Sequence, residues 1–250
     1  MLPKGIKVNI FNMLSISNRY NASLVWKEMT YETWRSIPTV GEMKRKVPCK
    51  YGRIFIQNLD DLETLGVLAS AGNLEILDDL YLTAIDVTNV PINIVNSLAK
   101  IVNGSLYFEE VAGLNLSMLK NLNCEILWLE NLRAPAHLNQ DINVNGIVHL
   151  EKVYGDISGL LERITCEGLQ LDNMILNNCE LRSLSKMLDR RVVNLTLCGN
   201  YLHNTEASIL ANYDGKGKCE SISFTDNSCS SSKNKELFSP WTNSKGWNIL

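Results

Sequence analysis

The chain has 250 residues, an apolar fraction of 45%, a charged fraction of 20% and a formal net charge of −3. These values predict a folded protein with a sizeable core and exclude wholesale disorder. No apolar run approaches the roughly 18 residues of a membrane helix, and the N-terminus lacks a secretory apolar region, so we expect no membrane association. The seven scattered cysteines argue against a disulfide framework and favour a reducing compartment, cytoplasmic or nuclear.

Charge divides the chain into two parts. Residues 1–53 carry ten Lys or Arg and three Asp or Glu, a net charge of +7. The remaining residues carry fourteen Lys or Arg and twenty-four Asp or Glu, a net charge of −10. This asymmetry indicates two modules with different partners, although composition also fluctuates between domains by chance.

The basic N-terminus predicts short helices. Ile6, Ile10, Phe11 and Leu14 fall on one helical face, and Pro3 suits the first turn of that helix. A second helix is predicted over about residues 18–35.

This segment resembles an F-box, whose pattern combines an initial Leu-Pro, an Ile-Phe pair and a later Leu-Val-Cys-Lys-x-Trp. Nine residues match that pattern: Leu2, Pro3, Ile6, Ile10, Phe11, Leu14, Leu24, Val25 and Lys27. Trp26 stands at the usual Cys and Met29 at the usual Trp. The resemblance implies that these nine residues dock on Skp1, an acidic protein, and through it on a cullin. The alternative is a helical cap that only protects the first strand of the following domain.

From residue 51 onward an apolar-x-apolar pattern recurs. Its central residues are separated by 21, 26 or 27 positions, and they are Ile54, Leu80, Leu106, Leu127, Val148, Leu169, Leu195 and Ile222. Eight such units predict leucine-rich repeats, each a short parallel strand followed by a return segment. In the clearest unit, residues 192–202, Asn200 is expected to hydrogen-bond backbone groups where the strand turns away.

Helical spacing marks the longer return segments. It occurs at Leu62/Leu65/Leu68, Ile94/Val95/Leu98 and Leu181/Leu184/Leu188, whereas the 21-residue units have room for a short helix or 3₁₀ turn. Cys124, Cys166 and Cys219 take apolar positions in their units, so we expect core thiols rather than nucleophiles.

Each strand turns the residue between its two core positions outward. That column begins with Phe55, Tyr81, Tyr107 and Trp128, and the column two residues further contains four consecutive acids. The candidate partner-binding residues are Phe55, Tyr81, Tyr107, Glu109, Trp128, Glu130, His149, Glu151, Gln170 and Asp172. Rings and carboxylates together suit a Lys- or Arg-rich protein segment. Alternatively, the rings stabilise the sheet by cross-strand contact and the acids form a solvated face.

No motif for catalysis stands out. His137, His149 and His203 lack metal-ligand spacing, and residues 214–218 lack the spacing of a phosphate-binding loop, so no metal or cofactor is expected. The four acids would lie about 5 Å apart, near the spacing of retaining glycosidases, but a shallow sheet offers them no desolvated pocket. The acidic balance of the C-terminal part disfavours nucleic acid.

The sequence therefore predicts an α/β solenoid, a leucine-rich-repeat horseshoe of about eight repeats behind a small helical F-box-like domain. The expected domains are residues 1–45, the repeats over residues 46–230, and a C-terminal cap or tail over residues 231–250. The implied function is a non-catalytic substrate receptor of a cullin-RING ubiquitin ligase that binds a basic protein substrate. The alternative is a ligase-independent binding scaffold or inhibitor.

Overall fold

A computed structural model describes residues 50–70, 76–116, 119, 122–134, 138, 140–190, 192–202, 219–225, 227 and 248–249. Within these residues nine strands form one sheet, and every pair of neighbours runs parallel. In order across the sheet they are β1 (Lys50–Ile56), β2 (Ile76–Thr83), β3 (Ser105–Glu109), β4 (Ile126–Glu130), β6 (Ile147–Glu151), β8 (Gly168–Asp172), β10 (Asn194–Cys198), β12 (Ser221–Thr225) and β13 (Asn248–Ile249).

The connections carry the remaining described elements. Two small parallel sheets pair β5 (Ile142–Asn143) with β7 (Ile164–Thr165) and β9 (Ile175–Leu176) with β11 (Tyr201–Leu202). Four helices are described: α1 (Leu59–Ser70), α2 (Ile92–Ala99), α3 (Ser158–Arg163) and α4 (Asn178–Arg190). Helix α1 packs against α2, and α3 packs against α4.

The strand register predicted from the sequence is confirmed. The eight central positions lie opposite one another on successive strands, from Ile54 beside Leu80 to Leu195 beside Ile222. All eight are buried, which explains the register, because a slip of one residue would turn this apolar set to the solvent.

The core lies between the inward face of this sheet and its connections. The predicted helical contacts are confirmed at Leu62, Leu98 and Leu184, which are buried in α1, α2 and α4. The predicted core thiols are confirmed as well, because Cys124, Cys166 and Cys219 are all buried. Burial raises the pKa of Cys124 and of Cys166 to about 12, so both remain protonated at neutral pH.

Two helices begin with reciprocal side-chain caps. The Asn58 Oδ1 accepts the Asp61 N–H at 2.9 Å, and the Asp61 Oδ2 accepts an Asn58 Nδ2 hydrogen at 2.8 Å. At α4 the buried Glu180 accepts the N–H of Asn177 at 2.6 Å and the N–H of Ile157 at 3.2 Å. These bonds satisfy backbone donors at the first turns and tie the start of α4 to the start of α3.

Six strands end in the same backbone conformation. The residue after each strand has a positive φ between 48° and 64°, and these residues are Ala84, Glu110, Asn131, Lys152, Asn173 and Gly199. Each N–H donates to the carbonyl of the last residue of the neighbouring strand, as in Lys152 to Asp172 at 3.1 Å. The left-handed turn therefore directs the chain away from the sheet without breaking its hydrogen-bond ladder.

Asn200 performs the backbone role expected from its position. Its side chain is fully buried, its Nδ2 donates to the Leu171 carbonyl at 2.7 Å, and its Oδ1 accepts the Met174 N–H at 2.9 Å. Asn227 repeats part of this arrangement by donating to the Leu197 carbonyl at 2.8 Å.

The predicted fold class is wrong. The described residues form an α/β arrangement on a parallel central sheet with four helices, not a leucine-rich-repeat horseshoe solenoid behind a helical F-box. The error has a physical cause. The 21- to 27-residue spacing between central strand residues gives only the number of residues in one strand and its return connection. Any parallel sheet with covering crossovers meets that condition, and the spacing says nothing about how the whole sheet curves.

Several predictions concern other parts of the chain. The nine F-box-like residues between Leu2 and Lys27 lie outside the described residues, as do His137 and His203. Of the predicted C-terminal cap, residues 231–250, the structure describes β13 alone.

Candidate functional site

The outward face of the central sheet brings together the ten partner-binding candidates. Strands β3 and β4 alternate between half-buried and buried residues, so every second side chain leaves the core. Two rows run across the strands on this face. The aromatic row consists of Phe55, Tyr81, Tyr107, Trp128 and His149, and it continues into Gln170. The acidic row consists of Glu109, Glu130, Glu151 and Asp172.

The aromatic row is a continuous set of ring contacts. Phe55 stacks on Tyr81 with centroids 4.5 Å apart, and Trp128 lies 4.0 Å from His149. Tyr107 lies 5.4 Å from both Tyr81 and Trp128. The sequence predicted rings that face the solvent, and this holds for Phe55, which is 56% exposed, but not for His149, which is 6% exposed. The contacts between neighbours account for the difference, because each ring covers the next.

The acidic row places like charges opposite each other. Glu109 lies opposite Glu130, Glu130 opposite Glu151, and Glu151 opposite Asp172. Strand neighbours are about 4.8 Å apart, and opposed like charges destabilise a sheet. Within the described residues the Glu109 carboxylate has no hydrogen bond or ion pair.

Tyr107 connects the two rows. Its hydroxyl donates to Glu130 Oε2 at 2.5 Å. Burial and this bond, together with the charges of Glu109 and Glu151, raise the pKa of Tyr107 well above its ordinary value of 10.0. The phenol therefore stays a neutral donor to the acidic row.

His149 and Gln170 converge on Asp172. His149 Nε2 lies 2.8 Å from Asp172 Oδ2, and Gln170 Nε2 donates to the same oxygen at 2.7 Å. The Asp172 Oδ1 and the Trp128 Nε1 are buried atoms without a partner among the described residues. Polar atoms left unpaired in this way weaken a sheet and are commonly paired by an added ligand or water.

Lys152 supplies a cation to the acidic row. Its Nζ lies 3.3 Å from Glu151 Oε1 and 3.9 Å from Glu130 Oε1, while its side chain is 41% exposed. The hydrogen bond and the charge of Glu151 raise the pKa of Lys152. Among the described Lys and Arg side chains, this is the one that pairs with the acidic row.

A cavity lies elsewhere, beyond the carboxyl ends of β3 and β4. It has a volume of about 460 Å³ and an apolar lining that includes Val111, Leu116 and Val153, with Glu110 and Arg133 as its charged residues. The acidic row does not line this cavity. Its side chains are nevertheless largely covered, because Glu130, Glu151 and Asp172 are only 14%, 18% and 14% exposed.

Comparison with protein-family models, with curated proteins and with solved structures gives no match. The site must therefore be interpreted from its own geometry. Within the described residues no three His, Cys, Asp or Glu side chains are arranged to hold a metal ion. None of the described helices is long and apolar enough to span a membrane.

Sequence reasoning found both rows and missed two features of the same face. It did not identify Lys152 as a partner of the acidic row, although a lysine directly after an acidic strand end was a usable signal. It also missed Ile126 and Ile147, which lie on the other side of the aromatic row. Each directly precedes a buried central residue, Leu127 or Val148, and the strand alternation therefore places it on the outward face.

Proposed function

We propose that this chain is a non-catalytic binding protein whose outward sheet face holds a basic segment of a partner protein. The observation that carries this proposal is the acidic row, four carboxylates in direct register beside a continuous aromatic row. A cationic side chain from a partner can pair with the carboxylates and contact the rings, with cation–π contributions of ~0.5–2 kcal/mol each.

Sheet stability alone explains the aromatic row better than the acidic row. Stacked rings stabilise a sheet by their contacts, so the sequence alternative of cross-strand stabilisation accounts for part of the face. Opposed carboxylates destabilise the sheet by their repulsion, and Glu109 lacks a compensating partner among the described residues. An external cation relieves that repulsion, which favours binding as the reason for the acids.

The first experiment measures binding of a labelled dodecapeptide of alternating lysine and glycine to the full chain by fluorescence anisotropy. An alternating glutamate–glycine peptide is the control probe. We expect the lysine peptide to bind and the glutamate peptide not to bind, with affinity falling as salt rises.

The matched variants are Glu109→Gln on the acidic row and Glu125→Gln, an exposed acid just before β4. Because Glu109 has no hydrogen bond or ion pair among the described residues, its change should leave stability intact and weaken peptide binding by about two- to fivefold. Glu125→Gln should have no effect. Equal effects of both variants would show general charge attraction and contradict the proposal.

We also propose, from the N-terminal sequence alone, that residues 1–45 dock on Skp1 and make the chain a substrate receptor of a ubiquitin ligase in the cytoplasm or nucleus. Its support is the F-box-like pattern between Leu2 and Lys27. Co-expression with Skp1 and pull-down tests it against a variant with alanine at Leu2, Pro3, Ile10 and Phe11. Equimolar Skp1 with the wild type and loss with the variant would support docking. A wild type that folds and ignores Skp1 would make the chain a free-standing binding protein.

A further inference from the structure

Two isoleucines border the aromatic row on the side away from the acids. Ile126 lies opposite Ile147, and each stands two residues before a member of the aromatic row, Trp128 or His149. Ile147 is 43% exposed, and its Cγ1 lies over Gly168, where an added Cβ would come within 3.2 Å. On β4 and β6 the outward face is therefore apolar on one side, aromatic in the middle and acidic on the other, while the isoleucine column continues as Ser105 on β3 and Gly168 on β8.

The dimensions of this face match one α-helix. Residues two apart along a strand are separated by about 6.6 Å, so the isoleucines and the acidic row are about 13 Å apart. A helix with its side chains is about 10–12 Å wide. Across the sheet, β3 to β8 span about 14 Å, which corresponds to roughly ten helical residues at 1.5 Å each.

Resting on the proposed function, we infer that the partner segment is an amphipathic basic helix that crosses β3, β4, β6 and β8. Its apolar stripe contacts Ile126 and Ile147, and its Lys or Arg side chains pair with the acidic row. Charge complementarity directs the basic side of the helix toward the acidic row, and apolar contact directs its other side toward the isoleucines.

Lys152 shows where a partner ammonium would sit. Its Nζ lies between Glu130 and Glu151 in the free chain, so the spacing of these two carboxylates accommodates a primary ammonium. A lysine of the bound helix would displace Lys152, which therefore competes with the partner for the two acids.

Three 14-residue peptides test the inference on the full chain. One is a lysine–leucine peptide with its leucines on one helical face, the second has the same composition with scrambled order, and the third alternates lysine and glycine. We expect the amphipathic peptide to bind about tenfold more tightly than the scrambled one. Equal affinities of the amphipathic and the scrambled peptide would overturn the inference. The proposed function would still stand in that case if the lysine–glycine peptide bound and Glu109→Gln weakened its binding. Failure of all three would overturn both.

Ile147→Thr, paired with Ile175→Thr as a control, locates the apolar contact. Both residues are exposed strand isoleucines, but Ile175 lies in β9, outside the central sheet. Ile147→Thr should weaken the amphipathic peptide several-fold and leave the lysine–glycine peptide unchanged, whereas Ile175→Thr should alter neither. An equal loss for both peptides with Ile147→Thr would overturn the predicted contact.

Lys152→Asn tests the displaced cation. Lys152 has a left-handed backbone conformation, and asparagine stands in the same conformation after β4 (Asn131) and after β8 (Asn173). The backbone at residue 152 should therefore accept asparagine. Removing the internal competitor should tighten binding of the amphipathic peptide about threefold. Unchanged or weaker binding would show that Lys152 does not occupy the position of the partner cation and would overturn this part of the inference.

Discussion

Two halves of the same sheet carry different outward chemistry. From β2 to β8 the outward positions include the rings, the carboxylates and two isoleucines, along with Thr83, Ser105, Gly168 and Gln170. Those of β10 and β12 hold Asn194, Thr196, Cys198, Ser221, Ser223 and Thr225. The parallel register continues unchanged from one half to the other. The backbone therefore does not require the aromatic and acidic side chains, which supports a binding role for the half that has them.

The two halves are also stabilised differently. The first is covered by ring contacts on its outward face, with Trp128 in contact with both Tyr107 and His149. The second has small outward residues. Asn200, after β10, joins it to the end of β8 by hydrogen bonds to Leu171 and Met174, and Asn227 hydrogen-bonds the Leu197 carbonyl in β10. Substitutions in each half should therefore act through different physical effects.

The largest effect is expected for Asn200→Ala. This change leaves the Leu171 carbonyl and the Met174 N–H buried without their partner, at a cost of roughly 2–4 kcal/mol in the free energy of unfolding. Urea unfolding of the full chain measures it. Asn194→Ala on β10 removes an exposed hydrogen bond from Ser221 Oγ and should cost only about 0.5–1 kcal/mol. A similar cost for both would contradict the role of Asn200 as a buried link between β10 and the end of β8.

Trp128→Ala should have the second largest effect and lower the free energy of unfolding by about 2 kcal/mol. The substitution removes ring contacts to both Tyr107 and His149, each of which contributes about 0.5–1.5 kcal/mol. Thr196→Ala occupies the equivalent outward position on β10 and should stay within about 0.5 kcal/mol. If Trp128→Ala leaves the urea midpoint unchanged, the aromatic row does not stabilise its half of the sheet.

The left-handed strand ends predict changes of opposite sign in the two halves. Gly199→Ala should cost about 1–2 kcal/mol, because φ is +64° and the new Cβ would lie 2.5 Å from Asn173 Oδ1. Ala84→Gly removes the same steric penalty after β2 and should stabilise by about 0.5–1 kcal/mol. Thermal unfolding detects both, and a loss of stability with Ala84→Gly would contradict the strain at that position.

The smallest effect is a pH dependence at Tyr107. Its folded-state pKa is raised above the ordinary 10.0, so its contribution to stability is complete below pH 10 and declines as pH rises above that value. Tyr107→Phe should flatten the alkaline loss of stability relative to wild type. Tyr154→Phe, at an exposed tyrosine, should not. Urea titrations at several alkaline pH values provide the comparison, and parallel curves for wild type and Tyr107→Phe would contradict the prediction.

The sequence by itself determined the strands and their register, because a buried face with a period of two allows one alignment for Leu106, Leu127 and Val148. It also determined the core thiols, the main return helices and the order of the two outward rows. These features depend on local patterns of apolar and polar residues.

Tertiary structure alone decided the fold class and the electrostatic partners of the site. How the whole sheet is arranged depends on connections that the apolar spacing leaves open, which is why the horseshoe prediction was wrong. The pairing of Lys152 with Glu130, and of His149 with Asp172, joins side chains 22 or 23 positions apart in the chain. Such contacts depend on side-chain geometry between neighbouring strands, which a local sequence pattern does not predict.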